Sequence, residues 1–154
     1  MSKDELVFRV AQEIRLLQQS FDAFDEAAAG RLGINRTDLR ALDIVLGRGP
    51  VTAGELTAAL RLSPAATTTV IDRLERAGLV ARTRDAANRR RVLVEATGAA
   101  RAAERRIYQP VGEAGLRALA RYDQRQLETI IDFLGTARAV QQEHAERVAE
   151  EPAD

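Results

Sequence analysis

The stretch SPAATTTVIDRLERAG, Ser63 to Gly78, runs directly into LVARTRDAANRRRVLVEATG, Leu79 to Gly98. Ser63 before Pro64 has the form of a helix start: a serine hydroxyl caps a free amide, and proline suits the first helical position because its missing N–H would be unpaired there anyway. Gly78 supplies the left-handed residue on which such a helix closes. Between them Thr67, Val70, Ile71 and Leu74 recur at helical spacing and should face a core, leaving Pro64, Ala65, Thr68, Thr69, Asp72 and Arg73 outside. Residues 79–84 and 90–95 then read as two short strands, with Asp85-Ala86-Ala87-Asn88 supplying turn chemistry between them.

Upstream, Leu39, Leu42, Ile44, Val45 and Leu46 give a helix a broad apolar face, with Thr37 as its expected N-cap, and Gly47-Arg48-Gly49-Pro50 ends it. Thr52-Ala53-Gly54-Glu55 has the capping-box form and opens a short helix through Leu56 and Leu60. Three helices separated by tight breaks predict a tri-helical helix-turn-helix core, and a hairpin directly after such a core is a wing.

Both flanks read as helical arms. Val7, Val10, Ile14, Leu17, Phe21 and Phe24 are spaced 3, 4, 3, 4, 3, the seam of a helix running from about Asp4 to Ala29 that packs along another helix. Gly30 and Gly33 are expected to break it. The seam fits either one helix of a monomeric bundle or half of a dimer interface. From Gly98 the pattern is helical again, with Pro110 and Gly112 expected to kink or interrupt it. Asp123 with Gln126 caps a last helix whose Leu127, Ile130, Ile131, Leu134 and Val140 form another apolar stripe, and the polar residues beyond Gln141 are expected to fray towards Asp154. The expected organisation is an arm over 1–33, a winged core over 34–97, and further arm helices over 98–154. The fold class is mainly α with a small β-hairpin.

Composition narrows the function classes. The chain has 154 residues, 45% of them hydrophobic and 30% charged, enough to bury a core and too apolar for a disordered chain. It has no cysteine and a single histidine, His144, so thiolate metal sites, thiol redox sensing, a His-rich metal site and a Ser-His-Asp triad are not expected. No Walker-type phosphate loop is present, and no carboxylate pair stands in a recognisable site. An enzyme is therefore disfavoured and no cofactor is implied. No apolar run approaches a bilayer span and the N-terminus lacks a signal-peptide core, so a cytoplasmic protein without a membrane partner is expected.

The formal net charge is zero, but it is unevenly spread: −1 over 1–36, +3 over 37–97, +2 over 98–119 and −4 over 120–154. The hairpin is the densest part, with Arg82, Arg84, Arg89, Arg90 and Arg91 within ten residues and only Asp85 against them. Crowding like charges costs energy by repulsion, for which a polyanionic partner compensates, and arginine on a narrow tip fits the minor groove of DNA, where the potential is most negative. Asp85 reads as a brace pairing with an arginine across the hairpin. The small side chains and hydroxyls outside the preceding helix allow close approach to base edges in the major groove, while its N-terminal turn at Ser63 and Pro64 offers amides to phosphate. A merely solvated surface helix and charged turn is the alternative for each element taken alone.

The stretches RTDLRAL (36–42), TAGEL (52–56), VIDRLERAGLV (70–80) and DAANRRRVLV (85–94) resemble the winged-helix core of MarR-type bacterial transcriptional regulators. That family's wing usually reads Asp, two variable residues, Asp, Arg, Arg; here Asn88 takes the place of the second acid, and Ala96 stands where leucine is common. The resemblance implies a homodimer joined through its first and last helices, with Val7, Val10, Ile14, Leu17, Leu127, Ile130, Ile131 and Leu134 at the interface, bound to a palindromic double-stranded operator. By position, Ala65, Thr68, Thr69 and Arg73 would read the major groove. Arg89 and Arg90 would enter the minor groove or meet its phosphates, with Arg84 and Arg91 beside them. It further implies a repressor relieved by a small, often aromatic or anionic, effector between arms and core, where Phe21, Phe24 and Tyr108 either line the space or simply pack. The rival expectation is a winged-helix protein-interaction module that does not bind DNA sequence-specifically.

Overall fold

A computed structural model describes residues 1–150. In chain order the elements are α1 (Lys3–Leu32), α2 (Arg36–Arg48), α3 (Ala53–Leu60), α4 (Pro64–Arg76), β1 (Val80–Arg84), β2 (Val92–Ala96), α5 (Gly98–Leu119) and α6 (Gln124–Glu150). They fall into two compact units, Met1–Tyr108 and the residues from Gln109 onward.

In the first unit α2, α3 and α4 enclose the core with the hairpin. Leu42, Val45, Leu56, Leu60, Val70, Ile71, Leu74, Val80, Val94 and Ala100 are all buried in one cluster. Thr67 is fully buried among them, and its hydroxyl donates to the Ser63 carbonyl at 3.1 Å and lies 3.0 Å from the Thr57 hydroxyl. A polar atom is tolerated there because it is paired. Thr52 and Glu55 cap α3 reciprocally, and Ser63 caps α4 with Pro64 at its first position. The turn joining them closes on Arg61, which holds φ 56, a left-handed conformation uncommon for a residue with a side chain.

The hairpin is antiparallel, with Val80 opposite Ala96 and Arg84 opposite Val92. Val51 adds a one-residue third rung: its amide donates to the Val94 carbonyl at 3.0 Å, and its carbonyl accepts the Val94 amide at 2.7 Å. Sequence pattern cannot show a single-residue strand, and this rung ties the wing's base to the segment before α3.

Several boundaries differ from expectation. The N-cap of α2 is Asn35, whose side chain accepts the Asp38 amide at 2.9 Å; Thr37 lies inside the first turn. Asn and Thr are both good caps, and the earlier one wins because the helix starts sooner than expected. Gly30 does not end α1, which continues to Leu32 and closes on Gly33 at φ 68. A mid-helix glycine costs only about 1 kcal/mol, and packing of Ala28 and Ala29 against Leu39 holds the turn. α5 likewise continues through Pro110 and Gly112 to Leu119.

In the second unit Asp123 and Gln126 cap α6 reciprocally, at 2.8 and 2.9 Å. The helix runs on to Glu150 rather than fraying at Gln141. Good helix formers and pairs such as Glu143 with Arg147, 3.0 Å apart four residues on, sustain it. The expected fraying of 151–154 lies outside the described residues.

The seam residues of α1 end up unequally: Val7, Val10, Leu17 and Phe21 are exposed, Ile14 and Phe24 half-buried. Within the second unit no residue of α6 is buried; Leu127 and Ile130 are half-buried, Ile131 and Leu134 exposed.

Candidate nucleic-acid interface

The outward face of α4 is set by its own periodicity. Thr67, Val70, Ile71 and Leu74 go inward, so Ser63, Pro64, Ala65, Thr68 and Thr69 are left exposed. Thr68 donates its hydroxyl proton to the Pro64 carbonyl at 3.0 Å, and Thr69 to the Ala65 carbonyl at 3.1 Å.

Three of the helix's charged side chains, Asp72, Arg73 and Glu75, have charged partners in the fold, while the exposed Arg76 donates Nε to the Asp72 carbonyl at 3.2 Å. Arg73 makes a forked contact with Asp38 of α2, Nη2 to Oδ1 at 2.6 Å and Nε to Oδ2 at 2.9 Å. Asp38 is 1% exposed, and this pair ties α4 to α2. Its hydrogen bond raises the Arg73 pKa above its usual value. Asp72 and Glu75 both hold Arg82 of β1, Asp72 at 2.5 Å, and the Arg82 pKa is raised chiefly by the Asp72 hydrogen bond.

The wing tip is braced by side chain to backbone bonds. Asp85 accepts the Ala87 amide at 2.9 Å, and Asn88 accepts the Arg90 amide at 3.2 Å. Asn88 is an acceptor as an aspartate would be, so the tip is closed without a second acid. Asp85 also stands 3.8 Å from Arg91, and Arg91 reaches Glu55 of α3 at 3.2 Å. The Glu55 pKa is lowered, first by the Thr52 amide and then by the Thr52 hydroxyl, with Arg91 adding to it.

Of the five wing arginines, Arg82 and Arg91 are thus held by the protein's own carboxylates. Among the described residues Arg84, Arg89 and Arg90 form no ion pair and are exposed. Sequence reading missed the roles of Asp38, Asp72 and Glu75, and the pairing of Glu55 with Arg91 beyond its capping role. Their partners lie up to 36 residues away, and no local pattern signals such a pairing.

Phe24 of α1 and Tyr108 of α5 meet edge to face, ring centroids 5.4 Å apart at 65°. The Tyr108 hydroxyl is buried without a hydrogen-bond partner, and its pKa is pushed up to about 12, by burial first and then by Asp43 and Asp25. Beside it is a cleft of about 280 Å³ lined by Asp43, Leu46, Gly47, Glu104 and Tyr108. Burial, Asp25 and Glu104 all raise the Asp43 pKa. Phe21 stands apart from this contact at 62% exposure. Among the described residues no group of three or more His, Cys, Asp or Glu could hold a metal ion, and no helix is long and apolar enough to cross a membrane.

Three helices carrying a neutral outward helix and an arginine-tipped hairpin define a winged helix-turn-helix protein of the DNA-binding class. The MarR family model matches residues 34–92, the core and most of the wing. The chain is 37% identical over 147 residues to an uncharacterized HTH-type transcriptional regulator of Bacillus subtilis (strain 168), YcgE, with 96% of each chain covered. It is similar in fold to a MarR family protein from Bacillus stearothermophilus, with a TM-score of 0.64, 23% identity, and 94% and 99% of the two chains covered. It is also similar in fold to a point mutant of MepR from S. aureus, solved bound to an oligodeoxyribonucleotide; there the TM-score is 0.59, the identity 15%, and the coverage 86% and 97%. The chain belongs to the MarR family of winged-helix, DNA-binding transcription regulators.

Proposed function

We propose that the protein is a non-enzymatic cytoplasmic homodimer that binds a palindromic operator and represses transcription until a small molecule releases it. α4 enters the major groove with Ala65, Thr68 and Thr69 towards base edges, and Ser63 and Pro64 bring its first turn to the phosphates. Arg84, Arg89 and Arg90 of the wing meet the minor groove or its rim. Arg73 and Arg91 contribute mainly by holding α4 and the wing in place. The observation that carries the DNA reading is the set of three unpaired wing arginines beside a helix whose first outward turns, Ser63 to Thr69, carry no charged side chain.

The dimer is supported by apolar side chains left in water on each arm. Val7 is 61% exposed, Leu17 49%, Ile131 68% and Leu134 54%. A coiled-coil seam of this kind is stable only when covered. Two-fold symmetry then spaces two recognition helices about 34 Å apart, one turn of B-DNA. The effector reading is supported by the cleft beside Tyr108, where an aromatic molecule would meet Leu46 and the phenol ring. Asp43 and Glu104 at its edge oppose an anionic one.

The test is sedimentation with and without duplex DNA selected from a random pool at physiological salt. A two-chain complex on an inverted repeat with centres about one turn apart is expected. A monomer that retains no duplex overturns the proposal. Release by added aromatic compounds, read by anisotropy, tests the effector.

A further inference from the structure

The proposed DNA contact can be taken one step further, to the bases that α4 prefers; this step rests on the DNA-binding reading above. The hydroxyl protons of Thr68 and Thr69 are engaged by carbonyls of the same helix, at 3.0 and 3.1 Å. What each threonine shows outward is therefore lone pairs and a methyl group. Ala65 adds another methyl. The charged neighbours are engaged too, Arg73 by Asp38 and Asp72 by Arg82. Over Ala65, Thr68 and Thr69 the result is a patch with apolar carbon and acceptors but no side-chain donor; the exposed Arg76, whose Nε donates to the Asp72 carbonyl at 3.2 Å, lies two turns further along the helix.

In the major groove, A·T and G·C pairs each show one amino donor that a hydroxyl lone pair accepts. They differ in two respects that matter to such a face. Guanine presents N7 and O6 as adjacent acceptors, usually read by a forked cation, and Ala65, Thr68 and Thr69 offer none. Thymine presents a methyl group, which packs on alanine and threonine methyls. We infer that the Ala65, Thr68 and Thr69 face selects A·T base pairs, with the thymine methyl group as its main contact.

The experiment is to select bound duplexes from a random pool, then remake the selected site with deoxyuridine in place of each thymidine in turn. Uracil pairs as thymine does and lacks only the methyl. A·T pairs are expected at the positions spanned by α4, and each substitution there should weaken binding about three- to fourfold, the worth of one buried methyl. Thr68→Ser, which keeps the hydroxyl and removes the protein's methyl, should shrink the uracil effect at one of those positions. Selection of G·C pairs there, or equal affinity for the uracil and thymine duplexes, overturns the inference while leaving DNA binding intact. A chain that selects no duplex at all overturns both readings.

Discussion

Arg73 grips Asp38 through both Nε and Nη2, across 35 residues of sequence, with the Asp38 side chain 2% exposed and the Arg73 side chain 36% exposed. The two partners are therefore unequal. Removing the arginine leaves a buried carboxylate without compensation, whereas removing the acid leaves a cation already partly in water. Arg73→Ala is expected to cost about 2–3 kcal/mol, at or below the lower end for a broken buried pair because one side is solvated. That is a fall of roughly 5–10 °C in melting temperature for a chain of this size. Asp38→Asn should cost less. Calorimetry of the two variants checks the order; equal melting temperatures would remove Arg73 as a structural clamp and return it to the list of base readers.

The Glu55 side chain performs two tasks: Oε2 caps α3 by accepting the Thr52 amide at 2.6 Å, and Oε1 holds Arg91 Nη2 at 3.2 Å. Glu55→Gln keeps an acceptor for the cap and removes the charge that detains Arg91. Melting should hardly change. Affinity for operator DNA should become more salt-dependent, its log–log slope steeper by up to about 2 per dimer, because one more arginine per protomer reaches phosphate. Fluorescence anisotropy over a salt series measures it.

The helices, caps and hairpin were legible because each is written locally. Ser63-Pro64, Thr52 with Glu55, Asp123 with Gln126, and Gly78 each specify a helix end within four residues, and the structure has them all. The wing's position and its arginine density were legible for the same reason. The division of labour among those arginines was not. Arg82 and Arg91 look like Arg89 and Arg90 in sequence, and only the fold brings Asp72, Glu75 and Glu55 against the first two. The α2 cap illustrates a smaller limit, since Asn35 and Thr37 compete two residues apart and propensity does not separate them.

The junction of α1, α2 and α5 should give the protein a pH signature. Asp43 has a raised pKa, from burial first, then Asp25 and Glu104, so its folded form holds its proton more tightly than the unfolded chain. Such a group stabilises the fold below its ordinary value of 3.8, and that contribution is lost as pH rises through the raised value. Asp43→Asn should therefore gain on the parent as pH rises from acid to neutral, measured as a growing difference in melting temperature. Tyr108 follows the same sign at the alkaline end: its contribution is intact below 10.0 and is lost towards about 12. In Tyr122→Phe, where Tyr108 is the remaining phenol, tyrosinate absorbance should rise around that higher value.

Arg89 and Arg90 carry the clearest prediction about DNA. Both sit at the exposed tip, which Asp85 and Asn88 close through backbone amides, so neither arginine is needed to hold the turn. Arg90→Ala should leave melting unchanged, and the same holds for Arg89→Ala. In a dimer each substitution removes two cations, so the salt slope should become shallower by about 2 if both cations reach phosphate. The weakening should be largest at low salt and shrink as salt rises, because counterion release is the term removed. A charge-independent loss, equal at every salt concentration, would instead mean that the arginine reads a base edge or a groove shape. Arg82→Ala is the control from the same hairpin: its partners are Asp72 and Glu75, so it should disturb the seating of the wing on α4 while its own charge adds little to the slope. If Arg82→Ala flattened the slope as much as Arg90→Ala, the separation of the wing into holding and binding arginines would be wrong.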